Sequence, residues 1–117
     1  MFDAKNKRTT GSHYEALVAA FLQKQGYIIL EQNYRCRSGE IDLIARDGRY
    51  LVFIEVKYRK NSRAGTALEA IDVRKAAQVR KVAQVYLCQK RYSEVTPVRF
   101  DAAGIDGSTI TYIKNAF

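Results

Sequence analysis

Three residues near the middle of the chain combine types and spacing that could do chemistry: Asp42, Glu55 and Lys57. They lie in GEIDLIARDGRYLVFIEVKYR, residues 39–59, where two β-prone runs flank Asp47-Gly48. An Asp-Gly pair between such runs predicts a tight hairpin turn. With Asp47 and Gly48 as the two turn residues, Arg46 faces Arg49, Ile44 faces Leu51, Asp42 faces Phe53 and Glu40 faces Glu55. Strand alternation then puts Asp42, Phe53, Glu55 and Lys57 on one face, and Ile41, Leu43, Val52, Ile54 and Val56 on the other. Asp42 and Glu55 become diagonal neighbours with Cα atoms roughly 7–8 Å apart.

Carboxylates that close repel unless a cation sits between them. Magnesium or manganese takes oxygen ligands, and Asp42, Glu55 and the backbone carbonyl of Val56 supply them. A divalent ion so held would activate a water and neutralise charge on a scissile phosphate. Lys57, on the same face, would stabilise developing charge; the nearby carboxylates hold it protonated and argue against a role as base. Alternation alone equally admits a structural ion network in which Lys57 pairs with Glu55 or Asp42.

The elements that must position these groups follow from periodicity. Ser12-His13-Tyr14-Glu15 matches a capping box. It predicts a helix from Ser12 to about Gln25, stopped by Gly26, with Tyr14, Leu17, Val18, Phe21 and Leu22 as its apolar stripe. Glu15 beside that stripe reads two ways: as the cap, or as a carboxylate delivered to the sheet. Strands are expected at 27–34, 98–105 and 109–114 besides the hairpin, with a second turn at Asp106-Gly107. Asp72 is the expected N-cap of a helix from Val73 to Lys90. Arg99 and Asp101 share a face and suit an ion pair. The order is helix, three strands, helix, two strands (αβββαββ), an α/β chain with a mixed sheet flanked by helices.

Residues 1–11 read as a flexible basic arm and 12–117 as a single domain. Twenty Lys and Arg against twelve Asp and Glu leave a net charge of +8, which favours a polyanionic partner, nucleic acid first. Candidate contacts are Arg35 and Arg37 before the hairpin, Arg59, Lys60 and Arg63 in the basic loop after it, and Lys75 and Gln78 on the second helix. A single histidine argues against a His-based zinc site or a Ser-His-Asp triad. Cys36 and Cys88 lack metal-ligand spacing and read as reduced thiols, Cys88 as core packing. Neither a signal peptide nor a membrane-spanning run is apparent, so the expectation is cytoplasmic, with no membrane partner.

An acidic residue followed on the next strand by Glu-x-Lys, here Asp42 and Glu55-Val56-Lys57, resembles the signature of the PD-(D/E)xK nuclease superfamily. The longer match is more specific. GEIDLI at 39–44, VFIEVKYR at 52–59, the helix through Lys75 and Tyr86-Leu87, RFD at 99–101 and YIKNAF at 112–117 resemble the YraN family of small bacterial proteins. That family is regarded as endonuclease-like and distantly similar to archaeal Holliday-junction resolvases. The resemblance implies a restriction-endonuclease-like core, with Asp42, Glu55 and Lys57 as active-site residues and Glu15 as the helix carboxylate of resolvase-like relatives. Ile41 stands where the extended motif has proline. The function so implied is metal-dependent hydrolysis of phosphodiester bonds in DNA, branched or single-stranded structures included. A resolvase role would imply a two-fold homodimer. The alternative is a nucleic-acid-binding or DNA-processing adaptor that keeps the fold with little catalysis.

Overall fold

The computed structural model describes residues 2–59 and 72–117, with side chains from His13 onward. Its elements run α1 (Phe2–Lys24), β1 (Ile28–Cys36), β2 (Gly39–Asp47), β3 (Tyr50–Arg59), α2 (Val73–Gln89), β4 (Val98–Asp106) and β5 (Thr109–Ile113). This is the expected αβββαββ order. The five strands form one sheet in the order β1-β2-β3-β4-β5. Neighbours are antiparallel except β3 and β4, which are parallel. Among the described residues, no helix is long and apolar enough to cross a membrane.

Each sheet face carries one helix. On one, Val18, Ala19 and Leu22 of α1 pack on Leu43, Ala45, Val52, Ile54, Ala103 and Ile105. On the other, Val79, Val82, Ala83 and Tyr86 of α2 pack on Ile41, Ile44, Leu51 and Phe53. Both faces of β2 and β3 are therefore buried, which explains runs that are apolar almost throughout rather than alternating with polar residues. Asp72 caps α2 as expected, its side chain accepting from the Lys75 N–H at 2.8 Å.

Helix α1 departs from the expectation. It begins at Phe2, so residues 2–11 are helical and Ser12 lies inside the helix rather than at its N-cap. The segment contains no proline, and a lone Gly11 costs a helix interior only about 1 kcal/mol. Leu17, expected in the apolar stripe, is 42% exposed because the buried stripe runs through Val18, Ala19 and Leu22 instead. Cys88 is exposed rather than in the core, since the buried face of α2 passes through Val79, Val82, Ala83 and Tyr86.

The hairpin register also differs. Asp47 pairs with Tyr50, Arg46 with Leu51, Ala45 with Val52, Ile44 with Phe53 and Leu43 with Ile54. The two turn residues are thus Gly48 and Arg49, with Gly48 at φ 60°. Placing glycine first spares Asp47 a left-handed backbone and keeps it in the strand, where it accepts from Arg99. The β4–β5 hairpin repeats the device: Asp106 pairs with Thr109 and Gly107 has φ 65°.

On β4, Arg99 is the hub of a buried network. It donates to Asp101, to Asp47 at 2.9 Å and to the Tyr27 hydroxyl at 2.7 Å. Asp101, fully buried, also accepts from the Tyr112 hydroxyl at 2.6 Å and the Asn115 N–H at 3.0 Å. The expected Arg99–Asp101 pair is present, and it ties the hairpin turn to β4, β5 and the C-terminal residues.

Candidate active site

The β2–β3 ladder stops at Leu43 and Ile54. Continued by one residue, this register would set Asp42 directly opposite Glu55, not diagonal to it. The Val56 N–H, beyond the end of the ladder, donates instead to the Asp42 carboxylate at 2.8 Å. The side chain replaces a main-chain acceptor where the strands part.

Strand alternation breaks at the same place. Ile41 packs with α2 and Leu43 with α1, although two residues apart on one strand should share a face. Across on β1, Gln32 pairs with Leu43 and Tyr34 with Ile41, which leaves Asn33 opposite Asp42. Asn33 has φ 55°, a left-handed conformation that asparagine tolerates better than most residues. The break corrects the simple two-face picture: Ile41 lies on the face of Phe53, not of Leu43, and Asp42 meets Glu15 from α1 as well as Glu55 from β3.

From α1 comes Glu15. It lies on the helix stripe that continues through Val18, Ala19 and Leu22, at a core-facing position an apolar residue would ordinarily take, and is 7% exposed. Glu15, Glu40 and Asp42 each bring a carboxylate oxygen to within 4.8 Å of the others. From β3 comes Glu55, 2% exposed, with one oxygen 3.2 Å from the Lys75 ammonium and 3.9 Å from that of Lys57. Burial first, then the Asp42 charge, pushes Glu15 up to about 8, against an opposing Asn33 hydrogen bond. The same two causes push Glu55 up to about 8, with Lys75 pulling the other way.

Among the described residues, two buried oxygens, Oε1 of Glu15 and Oε1 of Glu55, have no hydrogen-bond partner. Both belong to carboxylates that interact with Asp42. An unpaired buried carboxylate oxygen is costly, and two of them flanking a third acidic group fit a hard divalent cation with an all-oxygen donor set. Glu15, Glu40 and Asp42, whose oxygens converge, with Glu55 beside Asp42, are the residues that would hold it. Val56, whose carbonyl is the expected ligand, contacts Asp42 through its N–H.

The expected basic residues gather at the same end of the sheet. Arg35, exposed and 3.7 Å from Glu40, and the exposed Arg37 flank the β1–β2 connection. The exposed Arg59 ends β3. Lys75 also approaches the Gln78 side chain at 3.4 Å. Gln78 lies against Gly39, where φ is 141° and an added Cβ would come within 2.8 Å of it. Lys60 and Arg63 lie outside the described residues.

Sequence reasoning missed Glu40 and Asn33. Glu40 was accessible in principle, since it shares the parity of Asp42. Nothing local marks Asn33 as the point where the strand turns over.

A family model described as an uncharacterised protein family, UPF0102, matches residues 14–105. A UPF0102 protein of Lachnoclostridium phytofermentans is 47% identical, over 96% of this chain and 95% of its own length. The chain belongs to the UPF0102 family. Another UPF0102 protein, from Vibrio parahaemolyticus, is 43% identical over 95% of this chain and 93% of its own length. One from Fusobacterium nucleatum is 41% identical over 94% and 92%. The UPF0102 match thus spans every described element from the second half of α1 to β4, including Glu15, Glu40, Asp42, Glu55, Lys57 and Lys75.

Proposed function

We propose that this UPF0102 protein is a metal-dependent nuclease that hydrolyses phosphodiester bonds in DNA, with a restriction-endonuclease-like core of the PD-(D/E)xK type. The observation that carries the reading is the pair of orphaned, buried carboxylate oxygens of Glu15 and Glu55 on either side of Asp42. A structural ion network would satisfy those oxygens; this arrangement leaves each carboxyl group beside the charge of Asp42.

A magnesium or manganese ion bound there would supply Lewis acidity and an activated water. The chain's own residues do the rest. Lys75 binds one oxygen of Glu55 and leaves Oε1 free. The Val56 N–H fixes the Asp42 carboxylate. Lys57, farther from Glu55 and 32% exposed at its side chain, is the cation available to a phosphate oxygen. Arg35, Arg37 and Arg59 offer contacts to the flanking backbone phosphates.

The test is a panel of linear, branched and single-stranded DNA, with RNA alongside, incubated with manganese beside Glu55→Ala. Cleavage by the wild type and none by the variant is expected. Cleavage by both at the same rate would remove Glu55 from the site. Salt-dependent, metal-independent binding with no cleavage would favour the adaptor reading instead.

A further inference from the structure

Beside the carboxylates, Tyr14 packs against the core on the α1 face and carries a second, exposed ring on its outer side. Tyr14, one residue before Glu15, and Tyr58, one residue after Lys57, stack with centroids 3.8 Å apart and planes 15° from parallel. His13 meets Tyr14 edge-on at 5.3 Å and 72°. Along β3, Val52 and Ile54 on the α1 face are fully buried, Val56 is half-buried, and Tyr58 is 38% exposed. The row of core residues therefore ends in an exposed aromatic ring at the site's margin, followed by the exposed Arg59.

We infer that Tyr58, backed by Tyr14, is a stacking platform for an unpaired nucleobase next to the scissile phosphate. The inference rests on the nuclease reading for its placement and deepens it by naming the substrate class: a strand with at least one unpaired base at the cleavage point. A duplex base has both π-faces covered by its neighbours and offers none to the ring. An unpaired base of any identity offers one, and such stacking is sequence-tolerant.

The experiment measures binding without divalent metal, so it stands apart from cleavage. A single strand carrying 2-aminopurine and a duplex of the same sequence are titrated in EDTA with wild type, Tyr58→Phe and Tyr58→Leu. Quenching of 2-aminopurine is expected with the wild type and Tyr58→Phe. Tyr58→Leu, which keeps apolar volume without a π-system, should bind the strand about ten-fold more weakly with duplex affinity unchanged. Absence of quenching by the wild type, which needs no variant to fold, overturns the inference. So does an equal loss of strand and duplex affinity in Tyr58→Leu. The same strand built with ribose tells whether RNA or DNA is the source of the base. A protein that shows the Tyr58 effect but cleaves nothing would refute the nuclease reading and leave the platform standing.

Discussion

Glu55 is the residue on which the site turns, because its two oxygens have opposite fates. One is held by Lys75 at 3.2 Å; the other is buried without a partner among the described residues. Lys75, from a helix eighteen positions beyond the Glu-x-Lys motif lysine, is thus the closer cation, with Lys57 at 3.9 Å. This divides the labour: Lys75 holds Glu55, and Lys57 is left for substrate. Since Glu55 is pushed up to about 8, it is neutral in acid and needs Lys75 only where it ionises. Lys75→Met should therefore cost on the order of 1 kcal/mol of stability near pH 9 in EDTA and close to none near pH 6. Lys57→Met should cost less at both. Urea denaturation of the three proteins at the two pH values checks this; a larger high-pH loss from Lys57→Met would reverse the assignment.

At the scale of elements, the hairpin shows what could be read from residue order and what could not. The two β-runs and the Asp-Gly turn are local signals, and the strands form where those signals lie. The expected register is off by two residues, because the turn uses Gly48-Arg49 and not Asp47-Gly48. A shift of two preserves parity, so the apolar runs face inward as expected and Asp42 still comes to Glu55. A shift of one would have separated them. The reversal at Asp42 was not legible, since it depends on the left-handed Asn33 across the sheet. Nor was the burial of Glu15: an S-x-x-E pattern inside a longer helix looks the same as one at its start. Arg99 and Asp101, by contrast, were legible as a same-face pair, though not their role as the clamp between hairpin turn and C-terminal strands. Arg99→Met would leave Asp101 buried with no cation and Asp47 without its 2.9 Å donor. The expected cost is about 3–5 kcal/mol, read from the urea midpoint. A loss below about 1 kcal/mol would mean the network is replaceable by packing alone.

For the whole molecule, a net charge of +8 coexists with a buried cluster of acidic groups, and the two have different consequences. The basic exterior makes any nucleic-acid affinity salt-dependent, but it does not choose a reaction. The acidic pocket sets a pH signature. Glu15 and Glu55 both have folded-state values raised to about 8 from an ordinary carboxylate value of 4.5. Between those limits the native state holds protons that the unfolded chain has released. By linkage, stability is then highest near and below pH 4.5 as far as these groups are concerned, and declines as pH rises toward 8. One retained proton corresponds to a slope of up to about 1.4 kcal/mol per pH unit. A divalent cation takes the place of those protons, stabilising the deprotonated form by about 2.7 kcal/mol at a hundred times its dissociation constant. Three thermal-melt results are therefore expected. In EDTA the midpoint falls from pH 5 to pH 8. Manganese raises it at pH 8 and has little effect at pH 5, where protons occupy the ligands. Glu55→Gln, which removes one of the strained carboxylates and one metal ligand, melts higher than wild type at pH 8 in EDTA and gains less from manganese. A wild-type midpoint that does not respond to manganese at pH 8 would count against a metal centre. Loss of the difference between wild type and Glu55→Gln in EDTA would show that the repulsion around Asp42 is relieved by some means other than a cation.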